Sequence, residues 1–176
     1  VTLKVNRAQL NLDDYYNEQT SYPLAPPSRA VYEGAHDRHA QTAIAADLGR
    51  AWSCVIRPFA ALCPVDYWAE KHGRMYAVVE IKTRTHAFGY YPDSYLPARK
   101  YLALEVASLA HGCPAIYAVR FTDGIYWAPL IDVDGSHLTI VRQRAGRGDA
   151  RDVEPCVLVP CAAFHPLTST GKDGDG

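Results

Sequence analysis

Two apolar runs between Leu62 and Arg84 flank the turn signal His72-Gly73. That pattern confines the stretch to a β-hairpin, with Asp66 on its first strand and Glu80 and Lys82 on its second. Side chains alternate across a strand, so Glu80 and Lys82 share one face while Val79 and Ile81 point to the other. A carboxylate and an ammonium closing an otherwise apolar strand, Met75 to Ile81, are costly to bury without a partner. A metal ion beside Asp66 and Glu80 would be such a partner. The competing reading is a Glu–Lys surface pair at a strand end, which stabilises little.

The rest of the chain sets the bounds on that hairpin. Its 176 residues, 48% of them hydrophobic, suffice for one substantial core and predict one domain. No run approaches the roughly 18 apolar residues of a membrane span, and the first residues, Val1 to Arg7, carry no apolar leader core. A soluble, cytoplasmic protein follows. Five cysteines without a C-x-x-C pair read as thiols in a reducing compartment rather than as a zinc or iron–sulfur site. With a net charge of −1 the chain is no histone-like binder, so any nucleic-acid surface must be local.

In chain order, residues 1–33 read as an arm: a short helix over about residues 7–18, then an extended piece with Pro23, Pro26 and Pro27. Ala40, Ala43, Ile44, Leu48 and Ala51 recur at helical spacing from His36 onward, with Gly49 as the stop. His36 and His39 read as surface residues rather than as a metal pair, for want of a third ligand. A strand over Trp52–Phe59 precedes the hairpin. The loop 85–93 borders the end of the second hairpin strand, and its Tyr90 and Tyr91 either pack on the next helix or stack on bases. That helix is expected from an Asp93 or Ser94 cap to His111, with Pro97 in its first turn, Tyr101, Leu102, Leu104, Val106 and Leu109 as its apolar surface, and Gly112 as its stop. Strands follow at Pro114–Phe121 and Ile125–Leu130 around the Asp123-Gly124 turn, then at His137–Gln143 and Cys156–Val159. Residues 34–167 thus form one domain with its core at 36–130, and 168–176 form a polar, flexible tail.

Pro64-Val65-Asp66, thirteen residues, then Glu80-Ile81-Lys82 resembles the signature of the PD-(D/E)XK nuclease superfamily, with one residue inserted between Pro and Asp. The order helix, three strands, helix, two strands over about residues 36–130 is also that family's. The resemblance implies an α/β restriction-endonuclease-like αβββαβ core, a mixed central sheet flanked by helices, with further C-terminal strands.

It also implies a Mg²⁺-dependent DNA nuclease of phage or bacterial setting, Mn²⁺ substituting. Asp66, Glu80 and the Ile81 backbone carbonyl would hold the ion, joined by Asp37 or else Glu33 on or before the first helix, and Lys82 would position or activate the attacking water. Asp37 equally suits a helix N-terminus for electrostatic reasons alone. Lys100 matches the basic residue that the family often carries on its second helix. Arg84, Arg99, Lys100, Arg142, Arg144 and Arg147 are the expected DNA contacts, although the last three sit in a segment that also reads as an exposed loop diluted by Asp149 and Asp152. DNA is the expected partner, with a homodimer or a larger nucleoprotein complex as the assembly and no membrane. The alternative is a non-catalytic nucleic-acid-binding or assembly module on the same fold. No P-loop or G-x-G-x-x-G supports a small-molecule enzyme.

Overall fold

The computed structural model describes residues 35–60, 63–142 and 153–168, all within one compact unit that begins at Ala35. The expected arm, with Glu33, the loop holding Arg144 and Arg147, and the tail from residue 169 lie outside the described residues, as do the side chains of His36, Asp37, His39 and Arg142.

Helix α1 (Ala35–Trp52) buries Ile44, Ala45 and Leu48 on one face. It runs past Gly49, the expected stop, and ends where Ser53 turns left-handed at φ 51°. Gly49 is required for another reason. The Cys54 N–H bonds back to its carbonyl at 3.0 Å, and a Cβ there would lie 2.9 Å from the Cys54 carbonyl oxygen. The next strand, β1 (Val55–Pro58), is shortened accordingly.

Strands β2 (Tyr67–Lys71) and β3 (Arg74–Thr83) form the expected hairpin. Its turn residues His72 and Gly73 both take positive φ, 53° and 72°, as a tight two-residue hairpin turn demands. A bulge between Ala69 and Glu70 shifts the register by one.

The helix predicted from residue 93 or 94 begins later. Asp93–Pro97 is strand β4, and helix α2 covers Ala98–His111, closed by left-handed Gly112 (φ 61°). Pro97 is extended at ψ 131° and its ring holds Leu96 in the β region, so the helix cannot start before Ala98. Asp93 and Ser94, the two expected caps, both lie in β4, and Ser94 is buried there. Of the apolar residues expected to line α2, Leu104 is buried, while Leu102, Val106 and Leu109 are exposed.

β5 (Ala115–Phe121) and β6 (Gly124–Pro129) pair across the Asp123-Gly124 turn. β7 (Leu138–Arg142), β8 (Val153–Pro160) and the short β9 (His165–Pro166) complete the strands among the described residues. The main sheet runs β1-β2-β3-β5-β6-β9 and is mixed: β3 and β5 are parallel, joined across α2, and the other neighbours antiparallel. A second sheet, β4-β8-β7, accompanies α2. This is the restriction-endonuclease-like αβββαβ core, with β4 inserted before the second helix.

The two faces of the main sheet carry separate cores. Val79, Ile81, Ile116 and Ala118 pack with Ile44 and Leu48 of α1. Val78, Tyr117 and Val119 pack with Leu104 of α2 and with Leu96, Val157 and Val159 of the second sheet. No helix among the described residues is long and apolar enough to cross a membrane.

Candidate active site

Alternation along β3 decides where its charges go. Val79 and Ile81 are spent on the α1 core, so Glu80 and Lys82 must face α2. Asp66 stands one residue before β2 rather than on it, and the pairing Tyr67↔Val79, extended by one residue, sets it opposite Glu80. The Phe59 N–H donates to the Asp66 carbonyl at 2.9 Å and fixes the backbone there.

Four charges converge at this point. Glu80 is fully buried, at 0% exposure. Lys82 Nζ lies 2.8 Å from Glu80 Oε1 and 4.0 Å from Asp66 Oδ2. Lys100, from the first turn of α2, donates to Asp66 Oδ1 and lies 3.1 Å from Glu80 Oε2. Of the two places the sequence offers Lys100, among the DNA contacts or as the basic residue of the second helix near the site, its side chain takes the second, directed inward to the carboxylates. Both Glu80 oxygens and Asp66 Oδ2 are nevertheless buried without a hydrogen bond of good geometry.

The titration of the cluster follows from this packing. Burial pushes the Glu80 carboxyl above the ordinary glutamate value; the nearby Asp66 charge pushes the same way, and Lys82 and Lys100 only partly offset both. Burial also acts to raise Asp66, but its close approach to the Glu80 carboxyl and the charges of Lys82 and Lys100 outweigh it and hold Asp66 below the usual aspartate value. Lys82 loses solvation on burial, yet Glu80 and Asp66 more than compensate and keep its ammonium above the ordinary lysine value.

Tyr117 and Ser94 extend the site and were not singled out on sequence. Tyr117 pairs in register with Glu80 on the neighbouring parallel strand and is fully buried. Its hydroxyl donates to the Tyr95 carbonyl at 3.0 Å and lies 3.3 Å from Ser94 Oγ. Only the β3–β5 register reveals that a tyrosine in an apolar strand lies beside the buried Glu80. Arg84 is anchored to the same place, donating to the Tyr95 carbonyl at 2.8 Å and to the Tyr117 hydroxyl at 3.4 Å. Arg99 is exposed and paired with Glu154 at 3.1 Å. α1 packs on the opposite face of the sheet from Glu80.

Two adjacent carboxylates, three of whose oxygens are buried and met by lysine charge without a hydrogen bond of good geometry, suit a hard divalent cation, which takes oxygen ligands. Among the described residues no group of three or more His, Cys, Asp or Glu could hold a metal, so these residues supply a carboxylate pair rather than a closed cage.

Fold and charge cluster together define a PD-(D/E)XK-type nuclease scaffold. Residues 27–167 match the family described as "Phage putative PDDEXK endonuclease", and the chain belongs to that family. Among solved structures, Hjc, a Holliday junction resolvase from the archaeal hyperthermophile Archaeoglobus fulgidus, aligns with a TM-score of 0.46 and 16% identity over 55% of this chain and 75% of that one. No curated protein matches the chain.

Proposed function

We propose that the protein is a Mg²⁺-dependent DNA endonuclease, Mn²⁺ substituting, that hydrolyses phosphodiester bonds at Asp66, Glu80 and Lys82. The observation that carries this reading is Glu80, a fully buried carboxylate set beside a second carboxylate, whose oxygens are met only by the ammonium groups of Lys82 and Lys100 and by no hydrogen bond of good geometry. Such a group is costly to an empty protein and useful to one that binds a cation. Asp66, Glu80 and the Ile81 carbonyl would hold the ion, with Asp37 or Glu33 as a further ligand. When bound, the ion offsets phosphoryl charge and acidifies a ligated water.

Lys82 has a different task. Its side chain is 26% exposed against none for Glu80, so of this ion pair it is the member nearer solvent. Because the two carboxylates hold it charged, it orients the attacking water and faces the phosphate rather than removing a proton. Lys100 keeps Asp66 ionised and pointed at Glu80. Arg99, with Arg142, Arg144 and Arg147, contacts the DNA backbone, whereas Arg84 braces β4 against β3. The five free thiols accord with a reducing, cytoplasmic setting.

Cleavage of linear duplex, circular duplex, single strand, flap and four-way junction tests this, in Mg²⁺, Mn²⁺ or EDTA, with wild type and Lys82→Ala. Cutting should need the metal and disappear with the substitution. Cutting in EDTA would refute the reading, and DNA binding without any cutting would favour a non-catalytic binding module.

A further inference from the structure

The loop that leaves the catalytic strand is fixed at many points yet holds two aromatic rings in solvent. The His86 carbonyl accepts from the Thr122 N–H at 3.1 Å, and the Phe88 N–H donates to Asp123 Oδ1 at 2.9 Å. The Phe88 ring stacks on Tyr126 at 4.0 Å. Gly89 supplies the positive φ of 77° that closes the turn. The Tyr91 carbonyl accepts from the Cys161 thiol at 3.2 Å, and the Pro92 carbonyl accepts from the Cys161 N–H at 2.9 Å. Despite these anchors, Tyr90 is 70% and Tyr91 49% exposed. Their rings meet each other at 4.7 Å and His86 at 5.9 and 5.0 Å.

A cleft lined by Arg84, His86, Tyr91, Asp93, Ser94 and Tyr95 opens beside these rings. It adjoins the candidate active site, because Arg84, one residue past the end of β3, donates to the Tyr117 hydroxyl and Ser94 reaches the same Tyr117, the register partner of Glu80. Asp93 in its wall would repel a phosphate, and the Arg84 guanidinium is already engaged by the Tyr95 carbonyl. Aromatic faces with polar edges and a carboxylate acceptor suit a nucleobase instead.

We propose that this cleft receives an unpaired base next to the scissile phosphate, stacked on Tyr91 with Tyr90 at its rim. The inference rests on the nuclease reading and narrows its substrate to DNA with unpaired nucleotides at the cut: gapped, branched or single-stranded. A base held in an intact duplex stack cannot reach a side-chain platform without leaving its partner.

Binding in EDTA, where no metal-dependent cutting intervenes, tests it with a gapped duplex carrying 2-aminopurine at the unpaired position and with the same duplex intact. Tyr90→Ala combined with Tyr91→Ala should weaken binding to the gapped DNA by about tenfold or more and abolish quenching of 2-aminopurine. Affinity for the intact duplex should hold within about twofold, and the two Tyr→Phe changes should restore wild-type behaviour. Equal losses on both DNAs, or no loss on either, would overturn the proposal; in the second case the rings serve another partner. Cutting of the same DNAs by wild type in Mg²⁺ reads the nuclease assignment separately, so either claim can fail alone.

Discussion

Lys100 of α2 and Glu80 of β3 approach to 3.1 Å inside the protein, one on the helix of the crossover that joins β3 to β5 and the other on the strand from which it departs. The contact matters because Lys82 already lies 2.8 Å from the other Glu80 oxygen. Two lysines therefore balance two carboxylates, and the second helix is electrostatically tied to the strand that carries Glu80 and Lys82.

Lys100 and a divalent ion would neutralise the same carboxylates. Lys100→Ala should therefore tighten Mn²⁺ binding, measured by calorimetry, while lowering cleavage by about 100-fold through loss of Asp66 positioning. It should also cost about 2 kcal/mol of metal-free stability in urea titration. Weaker Mn²⁺ binding would show that the lysine supports the ion rather than standing in for it.

Glu80→Gln should separate folding from function. A buried carboxylate whose protonation is favoured by burial is replaced by a neutral group of the same shape, so metal-free Tm should not fall. The rise in Tm that Mn²⁺ gives wild type should vanish. A lower metal-free Tm, or an intact metal-dependent rise, would remove Glu80 from the role assigned to it.

The direction of the Glu80 shift fixes a pH dependence. Its folded pKa lies above the ordinary value, so its contribution to metal-free stability is present below that ordinary value and is lost as pH rises through the raised one. Glu80→Gln should accordingly gain on wild type as pH increases across that window. Metal binding must expel the Glu80 proton, so affinity should fall as pH drops through the raised value. Calorimetry in buffers of different ionisation enthalpy should register released protons there. Heats independent of buffer would contradict the shift.

Gly49→Ala should destabilise even though alanine favours helices. The new Cβ would lie 2.9 Å from the Cys54 carbonyl oxygen, which is backbone and cannot swing aside. A loss of about 1–2 kcal/mol is expected in chemical denaturation, against a gain if helix propensity alone governed the site.

The hairpin, its His72-Gly73 turn and the Asp123-Gly124 turn were legible in sequence because each depends on neighbours a few residues away. Asp66, Glu80 and Lys82 could be grouped for the same reason: one hairpin register brings them together. The second sheet was not legible. Asp93, Ser94 and Pro97 satisfy the rules for a helix start as well as those for a strand, and the choice is made by β8, which pairs Ser94 with Val159 far along the chain. The same long-range pairing turns Ser94 toward Tyr117, and the β3–β5 register turns Tyr117 toward Glu80. Helical periodicity likewise marks Leu102, Val106 and Leu109 as apolar but cannot say whether anything covers them.

The most direct test of the central claim is single-turnover cleavage at saturating Mn²⁺ by wild type, Asp66→Asn, Glu80→Gln and Lys82→Ala, each with its fold checked by circular dichroism. The account predicts that each substitution lowers the rate by about 1,000-fold or more while the fold stays intact. A folded variant that cuts within about tenfold of wild type would place the chemistry elsewhere in the protein.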